Sequence, residues 1–259
     1  GFTGHGEDDL LLFLAVDRVH ATRSARALLI TGEPGSGKEI AALEAHRRGS
    51  RSHGPFVTVH CSTIPSTMLE AELFGYRKGA FSGNEHDHIG LVALADDGTL
   101  FIDEIADLPL DCQASLLKLL DTRTFRPLGA TYDSRSDLRM IAATTRDLDE
   151  EVRAGRFKSE LRECFRAATV RVPALREHME DIPFLAQYFL DRLGAECRRS
   201  WHLHADAVNS LHELSFPNNV RQLRTILEAA AMNCLGDKFL ARPGFAHDQD
   251  RRCLLRQGL

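Results

Sequence analysis

The sequence lacks long apolar runs, and this absence argues against a membrane-spanning helix. Such a helix needs about 20 consecutive apolar residues, and no stretch of the chain approaches that length. The short run Asp8–Val16 follows acidic residues, so it fits neither a signal peptide nor a membrane anchor. We therefore expect a cytoplasmic protein with no membrane partner.

Close cysteine pairs are missing as well. The six cysteines, at positions 61, 112, 164, 197, 234 and 253, include no Cys-x-x-Cys pair. This scatter argues against a zinc site and against a disulfide framework, and it suits a reducing cytosol. The formal net charge of −5 gives no electrostatic reason for this segment to bind nucleic acid directly.

Short apolar runs alternate with longer helical patterns, which is typical of a parallel α/β sheet. The predicted buried strands are Ala27–Thr31, Phe56–His60, Thr99–Asp103 and Leu138–Thr144, with a weaker fifth at Ala168–Val172. Helical patterns lie between them, for example at Leu110–Thr122. Turn residues in Thr124–Ser134 predict a loop or hairpin before the next strand.

Strand signals stop after Val172–Glu177, and the remainder is predicted to be helical. The predicted helices are Ile182–Cys197, His204–Leu214 and Asn219–Leu235. The segment Ser215–Asn219 separates the last two helices, with Asn218 or Asn219 as the expected N-cap. We therefore predict an α/β domain over residues 1–173, a small helical domain over residues 174–240, and a tail over residues 241–259.

A glycine-rich segment follows the first predicted strand and opens a predicted helix. It consists of Gly32, Glu33, Pro34, Gly35, Ser36, Gly37, Lys38 and Glu39. Glycines let backbone N–H groups converge on phosphate oxygens, the helix N-terminus favours an anion, and Lys38 supplies a positive charge. A bare motif of this kind can arise by chance, but the strand–loop–helix context disfavours that explanation. Glu39 stands where a Ser or Thr usually holds magnesium.

Two carboxylates follow another buried strand, at the sheet edge where open α/β sheets bind ligands. Asp103 is the candidate Mg²⁺ ligand, and Glu104 is the candidate group that orients or deprotonates an attacking water. The alternative is an acidic turn after a core strand, which the phosphate loop disfavours. Lys38, Asp103 and Glu104 together predict the catalytic set of a P-loop nucleoside triphosphatase that uses ATP and Mg²⁺.

At this point the chain resembles the AAA+ ATPase domain of bacterial enhancer-binding proteins, which activate sigma-54 RNA polymerase. The resemblance runs from about Gly4 to Leu235, and its motifs are GEPGSGKE, ELFGYRKGAFSG, GTLFIDEIADLP, VPALREHMEDIP and FPNNVRQL. It implies an AAA+ core with a small helical lid, a hexameric ring with ATP at the subunit interfaces, and a lid arginine, Arg221, that reaches the phosphates. Arg221 as a plain surface residue at a helix N-terminus remains the alternative.

The resemblance also implies a partner-binding loop. The family loop Gly-Ala-Phe-Thr-Gly-Ala touches the sigma factor through its Phe and Thr and moves with ATP hydrolysis; the matching residues are Gly79, Ala80, Phe81, Ser82, Gly83 and Asn84. An exposed aromatic between glycines can swing out and bury itself in a partner. Ser82 keeps the hydroxyl, whereas Asn84 replaces a small apolar residue. The alternative is that Phe81 packs into this protein's own core.

Further positions depart from the family pattern near the point where hydrolysis would be controlled. His60 replaces the usual Asn that holds the catalytic Glu; an imidazole can still hydrogen-bond Glu104, with a pH-sensitive coupling. Thr145 stands at the polar sensor position, where Asn or His is more common.

The two arginines that normally reach a neighbouring subunit's ATP fall on Lys158 and Cys164, with Arg162 and Arg166 as possible replacements. An arginine finger is worth about 10³–10⁵ in rate, so this departure is consequential. Cys164 is expected to pack as a small residue rather than act as a nucleophile, because no His partner is evident.

Two functions are therefore open. The first is an ATP-hydrolysing activator that remodels sigma-54 RNA polymerase; the second is a nucleotide-binding regulatory module with weak or no ATPase activity. An unrelated P-loop activity is a third and weaker possibility. In both of the first two cases the chain is expected to be one domain of a longer regulator, with residues 241–259 leading to a separate DNA-binding domain.

Overall fold

The computed structural model describes residues 25–80, 85–197, 201–236 and 255–257. The strands are β1 Ala27–Thr31, β2 Phe56–His60, β3 Gly75–Tyr76, β4 His88–Ile89, β5 Thr99–Asp103, β6 Thr124–Phe125, β7 Ser134–Arg135, β8 Arg139–Thr144, β9 Thr169–Arg171, β10 Trp201–Leu203 and β11 Leu255–Gln257. The α-helices are α1 Lys38–Arg47, α2 Ser66–Phe74, α3 Leu91–Leu94, α4 Leu110–Thr122, α5 Leu148–Arg153, α6 Ser159–Arg166, α7 Ile182–Cys197, α8 Ala205–His212 and α9 Asn219–Gly236.

Five strands form one parallel sheet in the order β2-β5-β8-β1-β9. The predicted parallel α/β fold is confirmed, and β1, β2 and β5 have the predicted bounds. These strands are nearly continuous apolar runs because a sheet with helices on both faces buries both sides of each strand. The register pairs Thr31 with Thr144 and His60 with Asp103, so the strands end together at one edge.

Helices close the core of the α/β part. Leu69 and Leu73 of α2 and Leu116 and Leu119 of α4 are buried in one cluster with Leu100 of β5. The segment after α4 is a hairpin, because β6 and β7 pair antiparallel. The two-residue ribbon β3–β4 was not predicted, since two residues carry no readable alternation.

The chain divides into two compact units. Among the described residues, one unit contains residues 25–32 together with Lys38–Val172, and the other contains Glu33–Gly37 and the chain from Pro173 onward. The second unit holds α7, α8 and α9, and also an antiparallel pair of β10 and β11 that the sequence did not predict. Among the described helices, none is long and apolar enough to cross a membrane.

The start of α9 differs from the prediction in one respect. Asn219 is the first residue of the helix and has a left-handed backbone, with φ +49°. Its side chain does not cap α9, because Oδ1 accepts a hydrogen bond from the amide of Leu175 at 2.8 Å. Asn218, the other candidate, stands in the position before the helix.

Truncating the centre of the sheet should be costly. Ile141 of β8 is fully buried, so Ile141→Ala should lower the free energy of unfolding by about 2–5 kcal/mol, through lost burial and a residual cavity. Urea unfolding followed by circular dichroism measures this change. Leu94→Ala, at a side chain that is 51% exposed, is the control and should change stability by less than about 0.5 kcal/mol. Equal effects of the two variants would contradict the placement of β8 at the centre.

Candidate functional site

The glycine-rich loop has a backbone that requires glycine. Gly35 and Gly37 have φ of +71° and +102°. A Cβ on Gly35 would lie 2.2 Å from the carbonyl oxygen of Asn218 and 2.9 Å from Cβ of Arg221. The amide of Arg221 donates to the carbonyl of Gly35 at 3.3 Å. The loop therefore lies directly against the first turn of α9, which brings the backbone of Arg221 to it.

Ser36 shows that the loop fits a ligand oxygen. Its side chain is 1% exposed, and its Oγ has no hydrogen-bond partner among the described residues. A buried hydroxyl without a partner is costly, so a ligand or an ordered water normally satisfies it. The helix α1 starts at Lys38, directly after the loop, and its N-terminal N–H groups favour an anion. Loop geometry, helix start and orphan hydroxyl all fit a phosphate group.

Sequence reasoning missed two residues that hold this loop. Both nitrogens of the Arg176 guanidinium bind the carboxylate of Glu33, at 2.7 and 2.5 Å. Asn219 Nδ2 donates to Glu33 Oε2 at 3.2 Å and to the carbonyl of Pro34 at 3.0 Å. Arg176 and Asn219 lie inside motifs that carried the family resemblance, but local sequence gives no indication of what their side chains contact.

At the edge of the parallel sheet the structure brings three predicted residues together. Lys38 is 8% exposed; its Nζ donates to the carbonyl of Gly32 at 3.0 Å and lies 3.8 Å from Glu104 Oε1. The other carboxylate oxygen of Glu104 accepts from Thr145, from the amide at 3.0 Å and from Oγ1 at 3.1 Å. Thr145 therefore fixes the orientation of Glu104 through two donors.

Glu104 itself has a left-handed backbone, with φ +54° and ψ +58°. This conformation is unfavourable for a residue with a side chain and is typically tolerated at functional sites. It comes directly after β5, at the start of a 3₁₀ turn over Ile105–Asp107. A strained backbone at the candidate catalytic carboxylate is a second, independent indication of function.

His60 contacts a different carboxylate from the one expected. Its Nδ1 lies 3.2 Å from Oδ2 of Asp103, its register partner on the neighbouring strand. His60 therefore pairs with Asp103 and not with the expected Glu104. Asp103 is the last residue of β5, whereas Glu104 has a left-handed backbone and its carboxylate meets Thr145. Thr145, not His60, holds Glu104.

The Asp103 carboxylate fits an Mg²⁺ ion whose other ligands would be nucleotide phosphates and waters. Within the part of the chain that the structure describes, no three His, Cys, Asp or Glu side chains form a closed metal site. Mg²⁺ does not require one, because it is usually held by one or two carboxylates plus substrate phosphates and waters. Asp103, at the carboxyl end of β5, supplies such a carboxylate.

The three candidates for a trans-acting residue, Lys158, Arg162 and Arg166, lie along α6 and its start together with Cys164. Lys158 precedes the helix, and its amide donates to Gln113 Oε1 at 2.8 Å. Arg162 is engaged by Asp149 at 3.1 Å, whereas Arg166 is largely exposed and lies beside Glu163. Cys164 is partly buried, and its Sγ donates to the carbonyl of Glu160 at 3.4 Å. Of the arginines, Arg166 has the more exposed side chain.

The base of the predicted partner loop is firmly held. Arg77 binds Asp87 at 2.6 Å across the loop, and the Lys78 amide donates to the same carboxylate at 2.8 Å. These contacts lower the pKa of Asp87. Gly79 has φ +80°, a Cβ there would meet no atom of the described residues within 4 Å, and the Ala80 amide donates to the Arg77 carbonyl at 3.0 Å. Phe81, Ser82, Gly83 and Asn84 lie outside the described residues, so both predictions for Phe81 stay open.

Comparison with known families gives a match over most of the chain. Residues 10–171 match the sigma-54 interaction domain, and residues 176–242 match the AAA+ ATPase lid domain. The chain is 38% identical over 243 residues to the transcriptional regulator VasH of Vibrio cholerae, covering 93% of this chain and 46% of VasH. It is 42% identical over 217 residues to the response regulator protein PilR of Pseudomonas aeruginosa, covering 83% of this chain and 49% of PilR.

The regulatory protein AtoC of Escherichia coli is also similar, with 37% identity over 223 residues that cover 86% of this chain and 48% of AtoC. This chain therefore spans about half the length of these relatives. Among solved structures, NtrX from Brucella abortus in complex with ATP has 29% identity and a TM-score of 0.78, over 96% of this chain and 57% of NtrX. The NtrX complex with ADP has 30% identity and a TM-score of 0.76, over 89% of this chain and 51% of NtrX.

The buried thiols of Cys61 and Cys112 test whether the surroundings of the sheet-edge carboxylates are buried and acidic. Burial, followed by the nearby charges of Asp107 and Asp103, raises the pKa of Cys61 to about 12. Burial, followed by the charge of Glu70, raises the pKa of Cys112 to about 11. Because both pKa values lie well above 8, both thiols are almost fully protonated at pH 8. Only the thiolate form is nucleophilic.

Alkylation with iodoacetamide at pH 8 should therefore leave Cys61 and Cys112 largely unmodified while the exposed Cys197 reacts. We expect at least a tenfold difference in rate, measured by mass spectrometry of peptides at successive times. A urea-unfolded sample is the control, since all three thiols should then react at similar rates. Fast labelling of Cys61 in the folded protein would contradict the buried, acidic surroundings.

Proposed function

The chain belongs to the sigma-54 interaction family of AAA+ domains from bacterial transcriptional regulators, and we propose that it binds and hydrolyses ATP to remodel sigma-54 RNA polymerase. The observation that carries this proposal is the grouping of Lys38 and Glu104 at the sheet edge, with Glu104 held by Thr145. A structural acidic turn would need neither the strained backbone of Glu104 nor a lysine beside it.

The residues of the phosphate loop have distinct proposed roles. Backbone N–H groups of Gly32–Glu39 and the ammonium of Lys38 bind the phosphates, with Ser36 Oγ available for one oxygen. The lid residue Arg221 is proposed to reach the phosphates with its guanidinium. The complexes of NtrX with ATP and with ADP support nucleotide binding by a similar fold.

Hydrolysis is assigned to the carboxylates. Asp103 would hold Mg²⁺, which, when bound, neutralises charge on the phosphate oxygens. Glu104 would accept a proton from the attacking water or orient it, with one carboxylate oxygen held by Thr145 and the other near the charge of Lys38. His60 keeps the carboxylate of Asp103 in place from the neighbouring strand.

A ring of subunits would complete this site. We propose a homo-oligomer, hexameric as the family resemblance implies, in which a cation of one subunit acts on the nucleotide of the next. Arg166 is the best placed of the candidates by exposure, because its side chain is 74% exposed and that of Arg162 only 22%, although each pairs with a carboxylate. Lys158 lacks the planar fork of arginine. DNA contact would come from a part of the regulator outside this chain.

The partner would be engaged by the loop of Gly79, Ala80, Phe81, Ser82 and Gly83. Its support is the base of the loop, in which Arg77 and the Lys78 amide both bind Asp87, next to Gly79 with its positive φ. A fixed base with a free glycine lets a bulky apolar side chain be presented to a partner without unfolding the ribbon.

One observation favours the second candidate function, a nucleotide-binding regulatory module with weak or no hydrolysis. Cys164 occupies a position where the family has an arginine, and its thiol is directed to the Glu160 carbonyl within α6. If neither Arg162 nor Arg166 replaces the missing guanidinium, the loss of about 10³–10⁵ in rate would leave binding without turnover.

Removing the proposed base should stop hydrolysis but spare binding. Glu104→Gln keeps the shape of the side chain and an acceptor for Thr145, but an amide cannot accept a proton as a carboxylate does. We expect turnover per subunit to rise with protein concentration in the wild type and to fall by about 10²–10⁴-fold in Glu104→Gln. Phosphate release measures turnover, and a fluorescent ATP analogue measures binding.

The matched control is Glu150→Gln, which removes an exposed carboxylate of α5. It should leave turnover within about twofold of the wild type, since surface substitutions away from a site have small effects. If the wild type binds the ATP analogue but shows no turnover at any protein concentration, the proposed ATPase activity is rejected and the regulatory module is supported. Absence of binding would reject both.

The loop residue Phe81 should be needed for the partner. In a complex with a transition-state analogue, Phe81→Ala should weaken sigma-54 binding by about 30-fold or more, as loss of a central aromatic anchor does. ATP binding should be unchanged. Pull-down and calorimetry with the purified sigma factor measure the effect, with Leu94→Ala as an exposed apolar control. Unchanged binding of Phe81→Ala would remove this side chain from the mechanism.

A further inference from the structure

The phosphate loop contains a negative charge of its own. Glu33 is its second residue, and a carboxylate within an anion-binding loop should repel the ligand. Its carboxylate is bound by both terminal nitrogens of Arg176, from Nη1 to Oε2 at 2.7 Å and from Nη2 to Oε1 at 2.5 Å. This two-point geometry is the strongest form of arginine–carboxylate pairing and fixes both side chains.

Folding alone does not account for this pair. The side chains of Arg176 and Glu33 are 60% and 39% exposed. Exposed ion pairs contribute little to the free energy of unfolding, because water screens the charges and ordering two side chains costs entropy. The pair is therefore better explained by its local effect on the loop.

A buried amide holds both members of the pair in place. Asn219 is fully buried, and its Nδ2 donates to Glu33 Oε2 at 3.2 Å and to the carbonyl of Pro34 at 3.0 Å. Its Oδ1 accepts from the amide of Leu175 at 2.8 Å, and Leu175 directly precedes Arg176. One amide thus fixes the loop backbone, the loop carboxylate and the backbone that carries the guanidinium.

We propose that Arg176 is a positioning residue for the nucleotide: it cancels the charge of Glu33, so that the loop accepts polyphosphate in the shape that Asn219 maintains. The proposal rests on the proposed function, because it concerns the same ligand. It assigns Arg176 no contact with the nucleotide. Without Arg176, the carboxylate of Glu33 would lose its bidentate guanidinium partner, and removing both charges would relieve the repulsion.

A set of neutral variants tests the charge argument. The affinity of a fluorescent ADP analogue with Mg²⁺ is measured at low and high ionic strength for the wild type, Arg176→Met, Glu33→Gln and the double variant. At low salt, Arg176→Met should bind roughly 3- to 10-fold more weakly, and the difference should shrink at high salt because ions screen exposed charges. The double variant should bind within about twofold of the wild type, and Glu33→Gln at least as tightly as the wild type.

The control is Arg224→Met, which breaks a comparably exposed ion pair with Glu228, 63% and 36% exposed, in the same unit. It should leave affinity unchanged at both salt concentrations. The proposal is overturned if Arg176→Met binds like the wild type at low salt, if the double variant is no better than Arg176→Met, or if Glu33→Gln weakens binding. Failure of the wild type to bind the probe would instead overturn the proposed function, and this inference with it.

Discussion

The in-register pairing of parallel strands is the constraint on which the candidate catalytic edge depends. Because β2 and β5 end together, His60 meets Asp103, and because β1 and β8 end together, Gly32 and Thr145 each follow at the same edge. A slip of one residue would turn every side chain of a strand to the other face. The apolar residues that fill both faces of these strands therefore also fix the positions of the polar residues just beyond them.

The phosphate loop depends on a different set of contacts, all within the helical unit. Gly35 allows the loop to lie against Asn218 and Arg221, and Asn219 provides hydrogen bonds to two loop residues. The loop is therefore shaped by side chains as well as by its glycines. Its two ends, Gly32 and Lys38, belong to the α/β unit.

The sequence was sufficient for the parallel sheet and for the residues placed at its edge. The bounds of β1, β2 and β5 were predicted from uninterrupted apolar runs between turn residues. Both ends of α4 and of α7 were also predicted correctly. The three-residue strand β10 was missed because it is too short to show a period. The helix start at Asn219 was found, but its role was not: its side chain meets Leu175 and Glu33, which are 44 and 186 positions away.

The partner of His60 shows a similar limit. The sequence placed His60 at a strand end and led us to expect Glu104 as its partner, whereas the structure pairs His60 with Asp103. Register selects Asp103, whereas the left-handed backbone of Glu104 leaves its carboxylate to Thr145. Neither a strand register nor a positive φ at a glutamate can be derived from composition or periodicity. The partners of His60 and Glu104 are therefore set by the fold and not by sequence order.

The backbone of Glu104 has a consequence for how this domain can change over evolutionary time. A side chain in the left-handed region costs about 1–3 kcal/mol, and glycine removes most of that cost. Replacing Glu104 by glycine would therefore remove this backbone cost, but it would also remove the contacts of the carboxylate with Thr145 and Lys38. A regulator that no longer needed turnover could therefore exchange Glu104 for glycine at a position whose backbone conformation already suits glycine. In this chain the position carries a carboxylate, which is held by Thr145 and Lys38.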